Sequence, residues 1–196
     1  MSSARQAQLA AEAERARREQ ERRQFKEAQE LENLRRAFKR IDKKNDEKVD
    51  VQELMEELEF LGHQIKPADA KLIIWEVDDD ADECVDWQEF KTMFYRTRND
   101  QSACEPRKLF NIVEFIMYDR NVSGSIDLDE CIPMFYQRFG REPVDEKVKE
   151  LCGNDKNIGF TIFDAIQKHA FKHNYGSKIK PGQIVPRVKP YVESEP

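Results

Sequence analysis

Between about residues 31 and 171 the apolar positions fall at helical spacing and then stop, four times over. The helical runs end at Ile41, Val77, Tyr118 and Cys152, and each is followed by a polar twelve-residue segment starting at Asp42, Asp78, Asp119 or Gly153. Within each segment the eighth and tenth places turn apolar again, as Val49 and Val51, Val85 and Trp87, Ile126 and Leu128, Phe160 and Ile162. Each closes on an acid: Glu53, Glu89, Glu130 or Asp164. The pattern predicts a repeated helix, loop, helix unit in an all-α protein.

The flanks follow other rules. From Ala4 to Ile41 there is no Gly or Pro, and Ala, Arg, Glu, Gln and Lys dominate, all strong helix formers. Acid and base recur at helical spacing, for instance Glu14 with Arg17 and Arg18, or Glu19 with Arg22 and Arg23. One long charged helix is predicted, with residues 1–30 as an extension beyond the body. Apart from Leu9 and Phe25 its first two-thirds offer only alanines, so no coiled-coil seam is present. At the other end, residues 172–196 carry Pro181, Pro186, Pro190 and Pro196 among Ile, Val and basic residues, which predicts an extended tail.

Charge divides the chain the same way. The net charge is −6, from 33 bases against 39 acids among 196 residues, yet residues 1–40 hold 11 bases and 7 acids and the tail is also basic. The acidic excess lies wholly in the body. No run of apolar residues is long enough to span a membrane. Four scattered cysteines without a Cys-x-x-Cys pair predict reduced thiols and a cytoplasmic location. The expectation is no enzyme: there is no nucleophile triad and no phosphate-cradling glycine loop. Bases interleaved with acids along the sequence argue against nucleic acid as the partner.

The third polar segment is the most informative. It places Asp119, Asn121, Ser123 and Asp127 at its first, third, fifth and ninth positions, Ser125 at the seventh, Gly124 at the sixth and Glu130 at the twelfth. This alternation suits a hard cation that needs six to eight oxygens, with a glycine at the sharp turn. Here the chain resembles the EF-hand superfamily, in the calmodulin-like arrangement of four hands in two pairs. The second segment supplies Asp78, Asp80, Asp82, Asp86 and Glu89, with Glu83 where the family has Gly.

The resemblance implies Ca2+ as the ion, one or two per molecule, with Mg2+ as a competitor. Ser125 and Cys84 would contribute through their carbonyls. The first segment has Lys44 at its third position, and the fourth lacks its first carboxylate, so neither is expected to bind. The resemblance further implies pairs at residues 31–97 and 107–171 joined by a hinged or kinked linker at 98–106, with Val49 meeting Val85 and Ile126 meeting Phe160. A short supply of Met and many Phe suggest a dedicated target. Two roles follow: a structural or regulatory subunit of a large assembly, similar to the EF-hand proteins of ciliary axonemes with tubulin as a candidate acidic partner, or a diffusible sensor that grips an amphipathic helix.

Overall fold

A computed structural model describes residues 3–100, 102, 104–127, 129–130 and 157–175, with the side chains of 3–10 and 169–175 left aside. It is all-α apart from two short strand pairs, in the order α1 (Ser3–Ile41), β1 (Lys48–Val49), α2 (Val51–Phe60), α3 (Pro67–Trp75), β2 (Val85–Asp86), α4 (Trp87–Asn99), α5 (Lys108–Tyr118), β3 (Ser125–Ile126), β4 (Ile158–Gly159) and α6 (Phe160–Tyr175). The tail 176–196 and the segment 131–156, with Met134, Phe135 and Phe139, lie outside the described residues.

The first helix changes character along its length. From Ala11 to Gln29 every residue is exposed, and surface ion pairs Glu14–Arg18 (2.6 Å), Glu19–Arg23 (3.2 Å) and Arg17–Glu21 (3.3 Å) run along it. Only near its end does an apolar face appear: Leu34, Ala37, Phe38 and Ile41 are wholly buried, at the i, i+3, i+4, i+7 spacing of an amphipathic helix. That face anchors α1 to the body, and the roughly five turns from Ala11 to Gln29 stand clear of it.

The strands join the loops in pairs. Val49 lies opposite Val85, as the resemblance implies, and Lys48 lies opposite Asp86. In the second pair Ile126 lies opposite Ile158, not Phe160. The frame of the fourth segment is therefore two residues earlier than its terminal acid suggests. In the first two hands the helix after the loop begins one residue past the ninth position; α6 begins at Phe160, which makes Gly159 the ninth position and Leu151 the first. Asp164 is no loop ligand: it lies within α6, accepting from Asn111 Nδ2 at 3.0 Å and pairing with Lys168 at 2.5 Å. The misreading arose because Phe160 and Ile162 mimic the apolar eighth and tenth places of the other loops.

The two pairs share one continuous core. Phe38 of α1 meets Trp87 and Phe90 edge-on at 5.5 and 5.1 Å, while Phe115 meets Phe160 and Phe163 at 5.5 and 5.4 Å. Between the pairs, Phe94 stacks on Phe110 at 5.2 Å and His63 meets Phe160 at 5.3 Å. The connector is kinked and also pinned. Thr97 Oγ1 donates to the Pro106 carbonyl (3.3 Å), Arg96 pairs with Glu105 (2.9 Å), and Asp100 accepts from the amides of Ser102 (2.7 Å) and Glu105 (3.2 Å).

Candidate metal centres

The loops at 42–53, 78–89 and 119–130 are built on one template. The first carboxylate turns inward and accepts backbone amides of the loop: Asp42 takes those of Asp46 (3.2 Å) and Glu47 (3.1 Å), Asp78 those of Ala81 (2.7 Å) and Glu83 (3.0 Å), Asp119 those of Ser123 (2.9 Å) and Gly124 (3.0 Å). The twelfth reaches back across the loop: Glu53 to the amide of Lys44 (2.9 Å), Glu89 to that of Asp79 (2.7 Å), Glu130 to that of Arg120 (2.8 Å). The ninth and twelfth side chains also cap the following helix reciprocally, as Asp50 with Glu53 and Asp86 with Glu89. Asp127 and Glu130 exchange the same two bonds, at 2.9 and 3.2 Å.

Backbone conformation repeats as well. The fourth and sixth residues of every one of these loops have positive φ: Asn45 and Glu47, Ala81 and Glu83, Val122 and Gly124, between 56° and 76°. Glu83 therefore adopts the turn that Gly124 adopts, at a cost of roughly 1 kcal/mol or a little more. A Cβ at Gly124 would stand in ordinary contact with Phe60, 3.4 Å from its carbonyl oxygen and 3.5 Å from its ring, so the positive φ and not crowding is what favours glycine there.

The second loop fits a divalent cation. Asp78, Asp80 and Asp82 bring one carboxylate oxygen each within 4.8 Å of one another; Glu89 and Asp86 stand outside that cluster, Glu89 Oε1 accepting the Asp79 amide at 2.7 Å. Burial pushes the Glu89 carboxyl above its ordinary range, so bringing a cation beside it relieves part of the cost of its charge. Cys84 donates its amide to Asp82 Oδ1 at 2.9 Å, and burial followed by the nearby Asp82 charge pushes its thiol up. A thiolate ligand is disfavoured, which leaves its carbonyl as the useful donor.

The third loop fits by oxygen donors rather than by charge. Asn121 Oδ1 accepts from the Ser123 amide at 3.0 Å, and Ser123 Oγ donates to the Ser125 carbonyl at 2.7 Å and lies 3.4 Å from Asp119 Oδ1. The structure thus gathers Asp119, Asn121, Ser123 and Ser125 on one side, with Asp127 and Glu130 at the helix start. The first loop also draws Asp42, Asp46 and Glu53 within 4.8 Å. There, however, the Lys44 ammonium bonds the Asp50 carboxylate, so an internal cation already serves that loop.

Sequence reasoning missed that this occurs in all three loops. Lys48 bonds Asp82 of the second loop, and this contact holds the Asp82 carboxyl below its usual range. Arg40 reaches the third loop, its Nη1 3.0 Å from Asp119 Oδ2, while its Nε donates to Glu57 Oε1 at 2.7 Å. Arg40, Lys44 and Lys48 are four residues apart, all in the first hand. Their spacing is legible in the sequence, as is the place of Lys44 within its own loop; the partners of Lys48 and Arg40, 34 and 79 residues away, are not.

Comparison with known proteins agrees with this geometry. Residues 31–95 match the model of the EF-hand domain pair. Over 58 residues the chain is 40% identical to the mitochondrial adenyl nucleotide antiporter SLC25A24 of Mus musculus, a match covering 30% of this chain and 12% of the antiporter. It is 34% identical over 105 residues to the probable calcium-binding protein CML17 of Oryza sativa subsp. japonica, covering 50% of this chain and 63% of that protein. Against troponin C of Todarodes pacificus it is 28% identical over 131 residues, covering 65% and 83%. The chain thus spans about an eighth of the antiporter and most of troponin C. It carries an EF-hand domain pair at residues 31–95, is related to calmodulin-like and troponin C proteins, and takes Ca2+ as its ion.

Proposed function

We propose that this chain is a non-catalytic calcium-binding subunit that docks into a larger assembly through the free part of α1, with an acidic protein surface as its partner. The observation that carries the reading is a basic stripe. At 3.6 residues per turn, Arg15, Arg18, Arg22, Lys26 and Arg36 fall within an arc of roughly 80° on α1, with Gln29 and Asn33 between them and no acid. Arg120 of the third loop continues the same surface, beside Gln29, Glu32, Asn33 and Arg36. Among the described residues Arg15, Arg22 and Lys26 have no salt-bridge partner.

Glu12, Glu19 and Glu30 flank the arc on one side, and Glu14, Glu21 and Glu32 on the other. A narrow acidic ridge suits this arrangement, whereas a broad polyanion such as a nucleic-acid duplex would meet the flanking acids. Phe25, 64% exposed at the edge of the stripe, offers an aromatic anchor of the kind common at protein interfaces. Microtubules present acidic ridges, and a ciliary axoneme is the setting in which we place the protein. Reversing the stripe with the triple variant Arg15→Glu, Arg22→Glu, Lys26→Glu should abolish co-sedimentation with microtubules at low salt. Retained binding would overturn the partner assignment.

One observation favours a second reading, that of a diffusible sensor. A groove of about 620 Å³ lies between α3 and the second loop, walled by Val51, Ala68, Leu72, Ile74 and Trp75, with Trp75 67% exposed. Extraction separates the two roles: chelator in high salt releases a sensor, while an architectural subunit stays with its filament.

A further inference from the structure

We infer that Arg40 is a built-in brake on the third loop: supplied by the first hand, its guanidinium holds down that loop's affinity for calcium, and calcium bound there loosens the contact between the two pairs. The inference rests on the reading that the third loop takes calcium, and its test separates the two.

Asp119 is wholly buried and belongs to α5 and its loop, yet one of its oxygens is shared with a residue from α1. Oδ1 faces Ser123; Oδ2 receives the Gly124 amide and Arg40 Nη1, each at 3.0 Å. Arg40 therefore leaves Oδ1 to the loop and withdraws negative charge from the first ligand through Oδ2. The loss weighs heavily here, because among its ligand positions the third loop has only Asp119, Asp127 and Glu130 as acids, against five in the second.

Nor is Arg40 alone. Arg36 Nη2 donates to the Met117 carbonyl at 2.8 Å, and burial, then the nearby charges of Arg120 and Arg40, push its guanidinium below the usual range. The guanidinium groups of Arg36, Arg40 and Arg120 thus lie close to a loop that would hold a cation. Together they sit at the C-terminal end of α5, where the helix dipole favours positive charge.

Burial distinguishes this contact from the lysines on the other loops. The Arg40 side chain is 10% exposed and its partners Glu57 and Asp119 are 4% and 0%, whereas Lys44 and Lys48 are about half exposed. A buried charge pair is weakly screened, so it persists at physiological salt where an exposed lysine is readily displaced. Arg40 Nη2 is buried and has no hydrogen-bond partner among the described residues, so the guanidinium is not fully satisfied by them where it lies. It also joins the pairs mechanically, bonding Glu57 of α2 and packing over the Phe60 ring (5.3 Å), against which Gly124 is seated. By reciprocity, whatever factor Arg40 takes from calcium affinity, calcium takes from the hold of Arg40 on Asp119.

The test is calcium calorimetry on the full chain at fixed ionic strength, comparing wild type with Arg40→Gln, Glu130→Gln and the Arg40→Gln, Glu130→Gln double variant. Arg40→Gln should tighten the third site by about tenfold or more, and Glu130→Gln should remove that gain. Equal or weaker affinity in Arg40→Gln overturns the brake. If Glu130→Gln leaves the heats of both backgrounds unchanged, the third loop is not a calcium site and the underlying reading falls instead. Because Arg40→Gln strips partners from buried Glu57 and Asp119, the Arg40→Gln, Glu57→Gln variant gives a second comparison, checked for helicity first. Hydrogen exchange of the unaltered protein supplies a mutation-free readout: saturating calcium should speed exchange at 57–62, where the bridge meets α2, and unchanged protection there also overturns the proposal.

Discussion

Glu53, Glu89 and Glu130 each cap a helix and close a loop, so their substitution has two consequences that can be measured apart. Glu89→Gln and Glu130→Gln should each cost at least about tenfold in calcium affinity at their own loop, while melting temperatures without calcium change by only a few degrees, since the amide keeps much of the cap. Calorimetry and circular dichroism check the two parts. Asp82 gives a pH prediction. Its carboxyl lies below the ordinary range because of Lys48, so the contact contributes stability above the unfolded pKa and loses it only as pH falls through the lowered folded value. Carboxyl NMR titration should therefore show Asp82 protonating at higher pH in Lys48→Gln than in wild type; coincident curves would contradict this. The capping acids and their loop positions are plain in the sequence. The Lys48–Asp82 contact is not, because it joins two loops through a strand pairing that the one-dimensional pattern locates without giving its side-chain partners.

At the scale of elements, α1 is two helices in physical terms. Its last turns carry Phe38, wholly buried against Trp87 and Phe90, and Phe38→Ala should cost about 3–5 kcal/mol in chemical denaturation. The turns from Ala11 to Gln29 are exposed and bury nothing against the body, so a chain lacking residues 1–28 should unfold at the wild-type midpoint. A midpoint well below wild type would mean that the overhang folds back on the body. That α1 is one helix was legible from composition; that its bases form a stripe free of acids was not seen along the sequence, where acid and base alternate. Helical winding sorts them onto different faces. The fourth loop shows the opposite failure, since an apolar pair and an acid at familiar spacing set the frame two residues late, and only the pairing of Ile126 with Ile158 corrects it.

Across the whole molecule the connector does not isolate the two pairs. Phe94 on Phe110, His63 on Phe160 and the Glu57–Arg40–Asp119 bridge all cross between them. Both tryptophans, Trp75 and Trp87, lie in the first pair, so their fluorescence follows that pair while far-ultraviolet dichroism follows all the helices. The two urea transitions should coincide in calcium-free protein. Separate transitions would show two independent lobes and remove the basis for coupling through Arg40.

The sequence by itself determined the repeated helical units, the oxygen-rich loops and their capping acids, because these depend on residues within a dozen positions of one another. Tertiary structure decided which loops are already served by a cation of the chain's own. For the second and third loops that outcome depends on packing the first hand against the hands that carry them, which brings together charges 34 and 79 residues apart along the chain; a local pattern carries no record of that distance.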